Sequence, residues 1–366
     1  VEETSTELAA RRFLTKGVIK DTNEEPLATA CERYVEKVAR KSLKDALPIC
    51  RRFADRAQKH GGKLLQETAY RLLARITHMS GAHASALTAY LAARSFAESQ
   101  PLVRARIDRA LVDVYMYLGK PEQSRKSAQS AMRVFTRLKA DSDLARTRVN
   151  YANLLHRQDR HREAEELYRE AADYFETTNN PLAAARCYYN RANTLVQLFD
   201  LETAETLYKK AASIYENAGN LLEANDARYG LAWLRMWQGS FHVALLDLSV
   251  CQRVYRDGGD PRGESLCVLD RAEVCLGLGL NNDALEAART AEKLFSKLGV
   301  RYETAKSALF RAQAATIAGR RKEAMAAIKR ARTGFLSEKN IGFQGVSHLF
   351  ASDMLDNERE RQLEMR

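Results

Sequence analysis

PLAAARCYYNRANTLVQLFDLETAETLYKKAASIYENAGN, Pro181 to Asn220, is a forty-residue unit that the rest of the chain repeats. Blocks beginning at Pro101, Asp141, Leu221, Pro261 and Arg301 fall into its register without gaps. Self-similarity at such a period signals stacked supersecondary units rather than one globular core. Position 31 of each unit is small: Ala131, Ala171, Ala211, Cys251, Ala291 and Ala331. Position 35 is aromatic in all six: Phe135, Phe175, Tyr215, Tyr255, Phe295 and Phe335. Four residues apart, the two side chains share one helical face, where the small one lets backbones approach and the ring fills the space beside them.

Composition agrees with this reading. Of 366 residues, 45% are hydrophobic and 29% charged, with only 18 Gly and 6 Pro, the balance of a helical chain that is neither disordered nor all-β. Because each unit buries its apolar face against its neighbours, the length predicts one elongated domain rather than two or three globules. No apolar run reaches the roughly 18 residues that span a bilayer, so no membrane partner is expected. The chain opens on Val with no signal-peptide pattern, which predicts a cytoplasmic protein or an excised fragment of one. Six cysteines include no CxxC pair and no zinc-like partner spacing, and read as small buried thiols. The net charge of +11 is uneven: +3 over 1–60, +8 over 61–140, −3 over 141–220, −2 over 221–300 and +5 over 301–366.

In chain order, Glu2 to Lys16 reads as an N-terminal helix within a cap spanning 1–20, and Asp21 to Pro26 as a polar break. Residues 21–100 hold two divergent helix pairs, Leu27 to Lys59 and Lys63 to Ser99, parted by Gly61 and Gly62. From 101 to 340 run six regular units. Pro101, Pro181 and Pro261 open alternate ones, the last two behind the N-cap residues Asn180 and Asp260. Gly119, Gly239, Gly279 and Gly319 close first helices. Residues 341–366 read as a capping helix or as a connection to a further domain, with Val346, Leu349, Phe350, Met354 and Leu355 on its packing face.

Small residues at position 12 (Ala152, Ala192, Ala232, Ala272, Ala312, with Val112 the exception) precede by twelve a second set at the start of the second helix (Ala164, Ala204, Ala244, Ala284, Ala324, with Ser124). With Tyr168 and Ala171, the set Ala152 and Ala164 resembles the tetratricopeptide repeat (TPR) signature. The proline that usually ends the second helix is absent, and the period exceeds the standard 34 residues. Downstream, RYGLAWLRMWQGSFHVAL (Arg228 to Leu245), LCVLDRAEVCLGLGLNNDALEAARTAEKLF (Leu266 to Phe295) and LGVRYETAKSALFRAQ (Leu298 to Gln313) resemble the repeats that precede the caspase-like peptidase of bacterial TPR–CHAT proteins. The resemblance implies an all-α, TPR-like α-solenoid of about eight antiparallel helix pairs in a right-handed superhelix with terminal capping helices. It also implies a regulatory piece to which an effector is attached, since the peptidase itself is not in this sequence.

In TPR arrays the first helices line the concave surface. Positions 6, 9, 13, 16 and 17 of this register then supply the groove: Arg146, Asn153, His156 and Arg157; Arg186, Tyr189, Asn193 and Gln197; Tyr229, Trp233, Met236 and Trp237. Asn amides offer both a donor and an acceptor to an extended peptide backbone, and Tyr and Trp give rigid apolar walls. Trp233 and Trp237 suit the core equally well. The carboxylate-binding pattern of chaperone-adaptor TPRs needs a cation where Val149 and Tyr189 stand, so that specificity is not implied. Catalysis finds no support: GLGL at Gly277 and Gly279 lacks a dinucleotide loop's third glycine, and GGDPRGES lacks a phosphate-binding lysine. His78 with His83, and His156 with His161, are five apart, which is not the spacing of two metal ligands on one helical turn. No cofactor, metal or catalytic residue is expected. A protein or peptide ligand is the favoured partner, homo-oligomers being compatible with it. The rival is nucleic acid on the basic stretch Arg94 to Lys139 and the basic C-terminal units.

Overall fold

A computed structural model describes residues 5–16, 23–39, 42–337 and 341–364. Among them every regular element is a helix: α1 (Ser5–Lys16), α2 (Glu24–Ala39), α3 (Leu43–His60), α4 (Lys63–Met79), α5 (His83–Phe96), α6 (Pro101–Tyr117), α7 (Pro121–Arg137), α8 (Asp141–Arg157), α9 (His161–Thr177), α10 (Pro181–Gln197), α11 (Leu201–Asn217), α12 (Leu221–Trp237), α13 (Phe241–Asp257), α14 (Pro261–Gly277), α15 (Asn281–Leu298), α16 (Arg301–Ile317), α17 (Arg321–Ser337) and α18 (Ile341–Glu364).

The forty-residue unit is two helices with a finer beat of twenty. From α6 to α17 each helix runs seventeen residues, eighteen in α15, before a short link. One residue of every link has positive φ: Gly119, Lys139, Asp159, Asn179, Phe199, Gly219, Gly239, Gly259, Gly279, Gly299 and Gly319, each twenty after the last. The residue after each donates its N–H to the carbonyl five positions back, as Lys120 does to Tyr115 (2.9 Å) and Asp260 to Tyr255 (2.8 Å). This is the Schellman closure, which satisfies carbonyls left orphaned at a helix end and stops the helix at a fixed place. Restart signals follow at once. Asn180 accepts from the Ala183 N–H (3.3 Å), Asp200 from Thr203 (3.2 Å) and Asp260 from Arg262 and Gly263 (3.0 Å each).

The core follows the columns of the repeat. Ala131, Ala171, Ala211, Cys251, Ala291 and Ala331 are at most 2% exposed, and the six position-35 rings at most 7%. Ala152, Ala192, Ala232, Ala272 and Ala312 are sealed, as is Val112. Ser124, the one polar substitute in the second alanine column, donates its hydroxyl to the Val112 carbonyl (2.7 Å), so its burial leaves no donor unmet. All six cysteines are buried free thiols, and burial pushes Cys31, Cys50 and Cys187 up to about 12 and Cys251 up to about 11.

Contacts group the chain into two compact units, Val1–Thr194 and Leu195–Arg366, where the repeat alone predicts a single run. In the first, α1 packs on α2 and α3, with Phe13 edge-on to Phe53 at 6.0 Å. First helices also touch one another directly, α2 with α4 and α6 with α8 here, and α12 with α14 and α14 with α16 in the second unit. Such contact makes the first helices of each unit a closely spaced layer presenting a shared face.

Two expectations shift at the ends. The polar break is shorter than Asp21 to Pro26: α2 starts at Glu24, because a proline in the first turn has no intrahelical N–H to lose. Glu24 then accepts the Leu65 N–H (3.0 Å) at the start of α4. Residues 21 and 22, like 2–4, lie outside the described residues. At the other end α18 packs on α17 through Phe343, Phe350, Ala351 and Met354. Val346 and Leu349, expected on the packing face, are 46% and 70% exposed. Phe343 stacks on Phe335 (5.0 Å, 22°) and so sets the rotation of the helix. The Leu355 side chain is outside the described residues.

Candidate functional site

In the first unit the face of α4, α6, α8 and α10 carries a polar cluster centred on Asp113. Its Oδ2 accepts from Asn150 Nδ2 (2.9 Å), while Oδ1 is sealed from solvent and has no hydrogen-bond partner among the described residues. Burial pushes the Asp113 carboxyl up to about 7, against the pull of Arg186, Arg109 and Arg157. None of the three lies within ion-pair distance of it among the described contacts: Arg109 is held by Asp143, whose other oxygen takes Arg106 (2.9 Å), and Arg157 lies over the Tyr117 ring at 4.8 Å. His83 stacks on Tyr117 (4.6 Å, 13°), and its Nδ1 is 3.0 Å from Nδ1 of His78. A buried carboxyl whose charged form is disfavoured adds little negative charge beside these arginines, of which Arg109 and Arg157 are engaged elsewhere.

The expected groove residues divide between the two units. In the first, Arg146, Arg157 and Arg186 are exposed, and Asn153, His156, Tyr189 and Asn193 are half-buried. Asn153 is partly committed, since its Oδ1 accepts the Tyr168 hydroxyl (2.5 Å). His156 Nδ1 is 3.1 Å from Thr194 Oγ1, and burial lowers His156 to about 4, so the ring is neutral near pH 7. In the second, Gln197 is exposed, and the Tyr229 hydroxyl donates to buried Asp270. Trp233 packs on the α12–α14 core, whereas Trp237 is 47% exposed. Met236 is a correction: at 9% exposure it belongs to that core, because position 16 of α12 turns inward against α13 and α14. Phe199, in the link before α11, is 72% exposed and meets Trp237 edge-on (5.7 Å, 81°); Trp237 meets Trp233 likewise (5.9 Å, 79°).

The histidine pairs also differ from expectation. Helical spacing does not govern them, because a link lies between the members and folds one helix end back on the next start. His156 and His161 are 5.0 Å apart, and the first pair is closer still. No group of three metal-ligating side chains occurs among the described residues. Sequence reasoning misses Asp113, Arg109, Tyr117, Asn150 and Phe199. The first three occupy positions 13, 9 and 17 of the unit at Pro101, so extending the columns one unit upstream finds them. Phe199 stands out as a ring in a column otherwise made of Gly and Asp.

Two clefts are lined by other residues. One of about 570 Å³ is bounded by α7 and α8, and its Arg125 and Arg160 are spent on Glu122 (2.8 Å) and Glu163 (2.6 Å). The other, of about 590 Å³, lies among α15, α16 and α17 over Ala305 and Ala308, with Arg301, Lys329 and Arg330 at its rim.

Residues 103–177 and 143–217 match the tetratricopeptide repeat family. No curated protein sequence matches the chain. Among solved structures the chain is similar to a Rap protein complexed with Competence and Sporulation Factor, with 17% identity, 89% of each chain covered and a TM-score of 0.68. It is similar to the apo quorum sensor NprR from B. thuringiensis, with 12% identity, 86% of this chain and 89% of that one covered, and a TM-score of 0.62. It is also similar to a STAND ATPase with a tetratricopeptide repeat sensor from Pyrococcus horikoshii, with 11% identity, 94% of this chain against 55% of that one, and a TM-score of 0.59. At these identities the likeness shows a TPR-like helical repeat fold. No helix among the described residues is long and apolar enough to cross a membrane.

Proposed function

We propose that this chain is a non-catalytic recognition scaffold, whose first-helix faces bind a segment of a peptide or protein and so regulate an effector. The observation that carries this reading is the polar face of α8 and α10, where Arg146, Arg157 and Arg186 are exposed and Asn153, Tyr189 and Asn193 half-buried. Exposed guanidinium groups donate to peptide carbonyls or carboxylates, and Tyr189 beside Arg186 on α10 adds an aromatic wall. The similar folds include a Rap protein in complex with a factor and a quorum sensor, which supports a binding role. An attached caspase-like effector rests on the resemblance of the segments from Arg228 to Gln313 alone, and the sequence of the full reading frame tests it.

The nucleic-acid alternative is weakened by charge pairing. In the basic stretch Arg94 is bound to Asp108 (2.6 Å), Arg106 and Arg109 to Asp143, and Arg125 to Glu122. Selection of random displayed peptides on the immobilised chain tests the favoured reading. Enriched peptides are expected to lose binding to the double variant Asn153→Ala, Asn193→Ala, with affinity varying weakly with salt. Failure to enrich, equal binding to the double variant, or a steep salt dependence of the phosphate-contact kind would overturn it.

A further inference from the structure

Phe199 violates the rule of its own column. The six positions forty apart are Gly119, Asp159, Phe199, Gly239, Gly279 and Gly319, all with positive φ. A left-handed backbone suits Gly and is tolerated by Asp, but a bulky ring there is strained. Burial does not offset the strain, since the side chain is 72% exposed. What the ring does is extend a ladder: it meets exposed Trp237 edge-on, and Trp237 meets Trp233, which is seated on the α12–α14 core. Strain held at a largely exposed aromatic position points to a binding role, because glycine closes the same link in four of the six units.

The surrounding charge identifies the class of ligand. Asp200 and Glu202 follow Phe199 directly and are exposed. Of the cations on α11 and α12, Lys209 is matched to Glu205 (2.7 Å) and Arg235 to Asp247. Aromatic faces attract cations through their quadrupole, and an acidic surround adds to that attraction. We propose that Phe199 and Trp237, both within the second unit, anchor a cationic side chain, lysine or arginine, of a partner that binds there. This rests on the recognition reading above and adds to it the charge of the ligand.

The chain's only two tryptophans are Trp233 and Trp237, so its tryptophan emission reports on this ladder without a label. The probes are acetyl-Ala-Arg-Ala-Arg-Ala-amide, its lysine counterpart, and the citrulline counterpart, which keeps the shape of arginine without the charge. The arginine and lysine peptides are expected to change the emission saturably at low ionic strength, and the citrulline peptide not to. Phe199→Gly should weaken arginine-peptide binding about two- to fivefold while raising Tm, because glycine accepts the left-handed backbone. Phe199→Leu should weaken binding without the gain in Tm. A merely structural Phe199 gives the opposite, a lower Tm for Phe199→Gly with binding unchanged, and overturns the proposal. An equal response to the citrulline peptide overturns the cationic preference and leaves the recognition reading standing. No response to any of the three overturns the anchor, while the recognition reading is judged separately by the Asn153 and Asn193 variant.

Discussion

Phe295→Ala probes the element on which the array depends. The ring is fully buried among Val268, Leu269 and Ala272 of α14, Ala288 and Ala291 of its own helix, and Phe310 of α16. It therefore joins three successive helices. Its removal loses the transfer free energy of a phenyl group and leaves a cavity that helices fixed by links at both ends cannot close, a cost of about 3–5 kcal/mol. Because repeats touch only their neighbours, that loss should be felt locally, as opening of α14 to α16 rather than of the whole chain. Hydrogen exchange read by mass spectrometry resolves this: protection should fall by two orders of magnitude or more, about 1.4 kcal/mol for each factor of ten, across 261–317 and remain unchanged in α2 to α4. Leu246→Ala, on a side chain 68% exposed, is the control and should cost less than about 0.5 kcal/mol. A cost below about 1 kcal/mol for Phe295→Ala, or an equal loss of protection throughout, would refute the picture of neighbour-locked repeats.

Gly230→Ala should destabilise by about 1–3 kcal/mol, since a Cβ at Gly230 would collide with the ring of Tyr208; urea unfolding measures it, and a neutral result would show that the ring moves freely aside. Asp113→Asn addresses pH. The folded carboxyl titrates near 7 and an unfolded one near 4, so the native state holds the extra proton between those values and stability falls as pH rises through that window. The variant should remove this slope and gain about 1–3 kcal/mol at pH 8, read from denaturant midpoints at pH 5 and pH 8. An unchanged slope would mean that Asp113 is already satisfied.

The fold is legible because stacking leaves a periodic trace. Each alanine column and each position-35 ring performs the same packing task in every unit, so forty-residue spacing exposes it in the order of the amino acids alone. The link residues are only half legible. Glycine announces a left-handed turn, but Lys139, Asp159, Asn179 and Phe199 take the same conformation without that mark, and only the twenty-residue beat reveals them. The face residues are harder. Met236 and Trp237 are adjacent and similarly apolar, yet one is core and the other surface, a difference set by the neighbouring α13 and α14 rather than by local pattern. Asp113 carries no local signal of its unmet oxygen, because that depends on Asn150, thirty-seven residues on. The rotation of α18 departs from expectation for a related reason: stacking of Phe343 on Phe335 outweighs the intrinsic hydrophobicity of Val346 and Leu349.

The even beat of the links has a bearing on how such a chain changes length. Excising Leu221 to Asp260 would join Asn220 to Pro261 at a junction of the same form as those on either side, and each later ring would meet an alanine seam of the same kind. A deletion of twenty residues is equally tidy for the backbone but exchanges first and second helices for everything downstream, so the alanine columns of the two helix types would no longer meet their partners. Loss or gain of chain is thus tolerated in doublets and punished in singlets, a parity that a family of natural or engineered length variants would display directly.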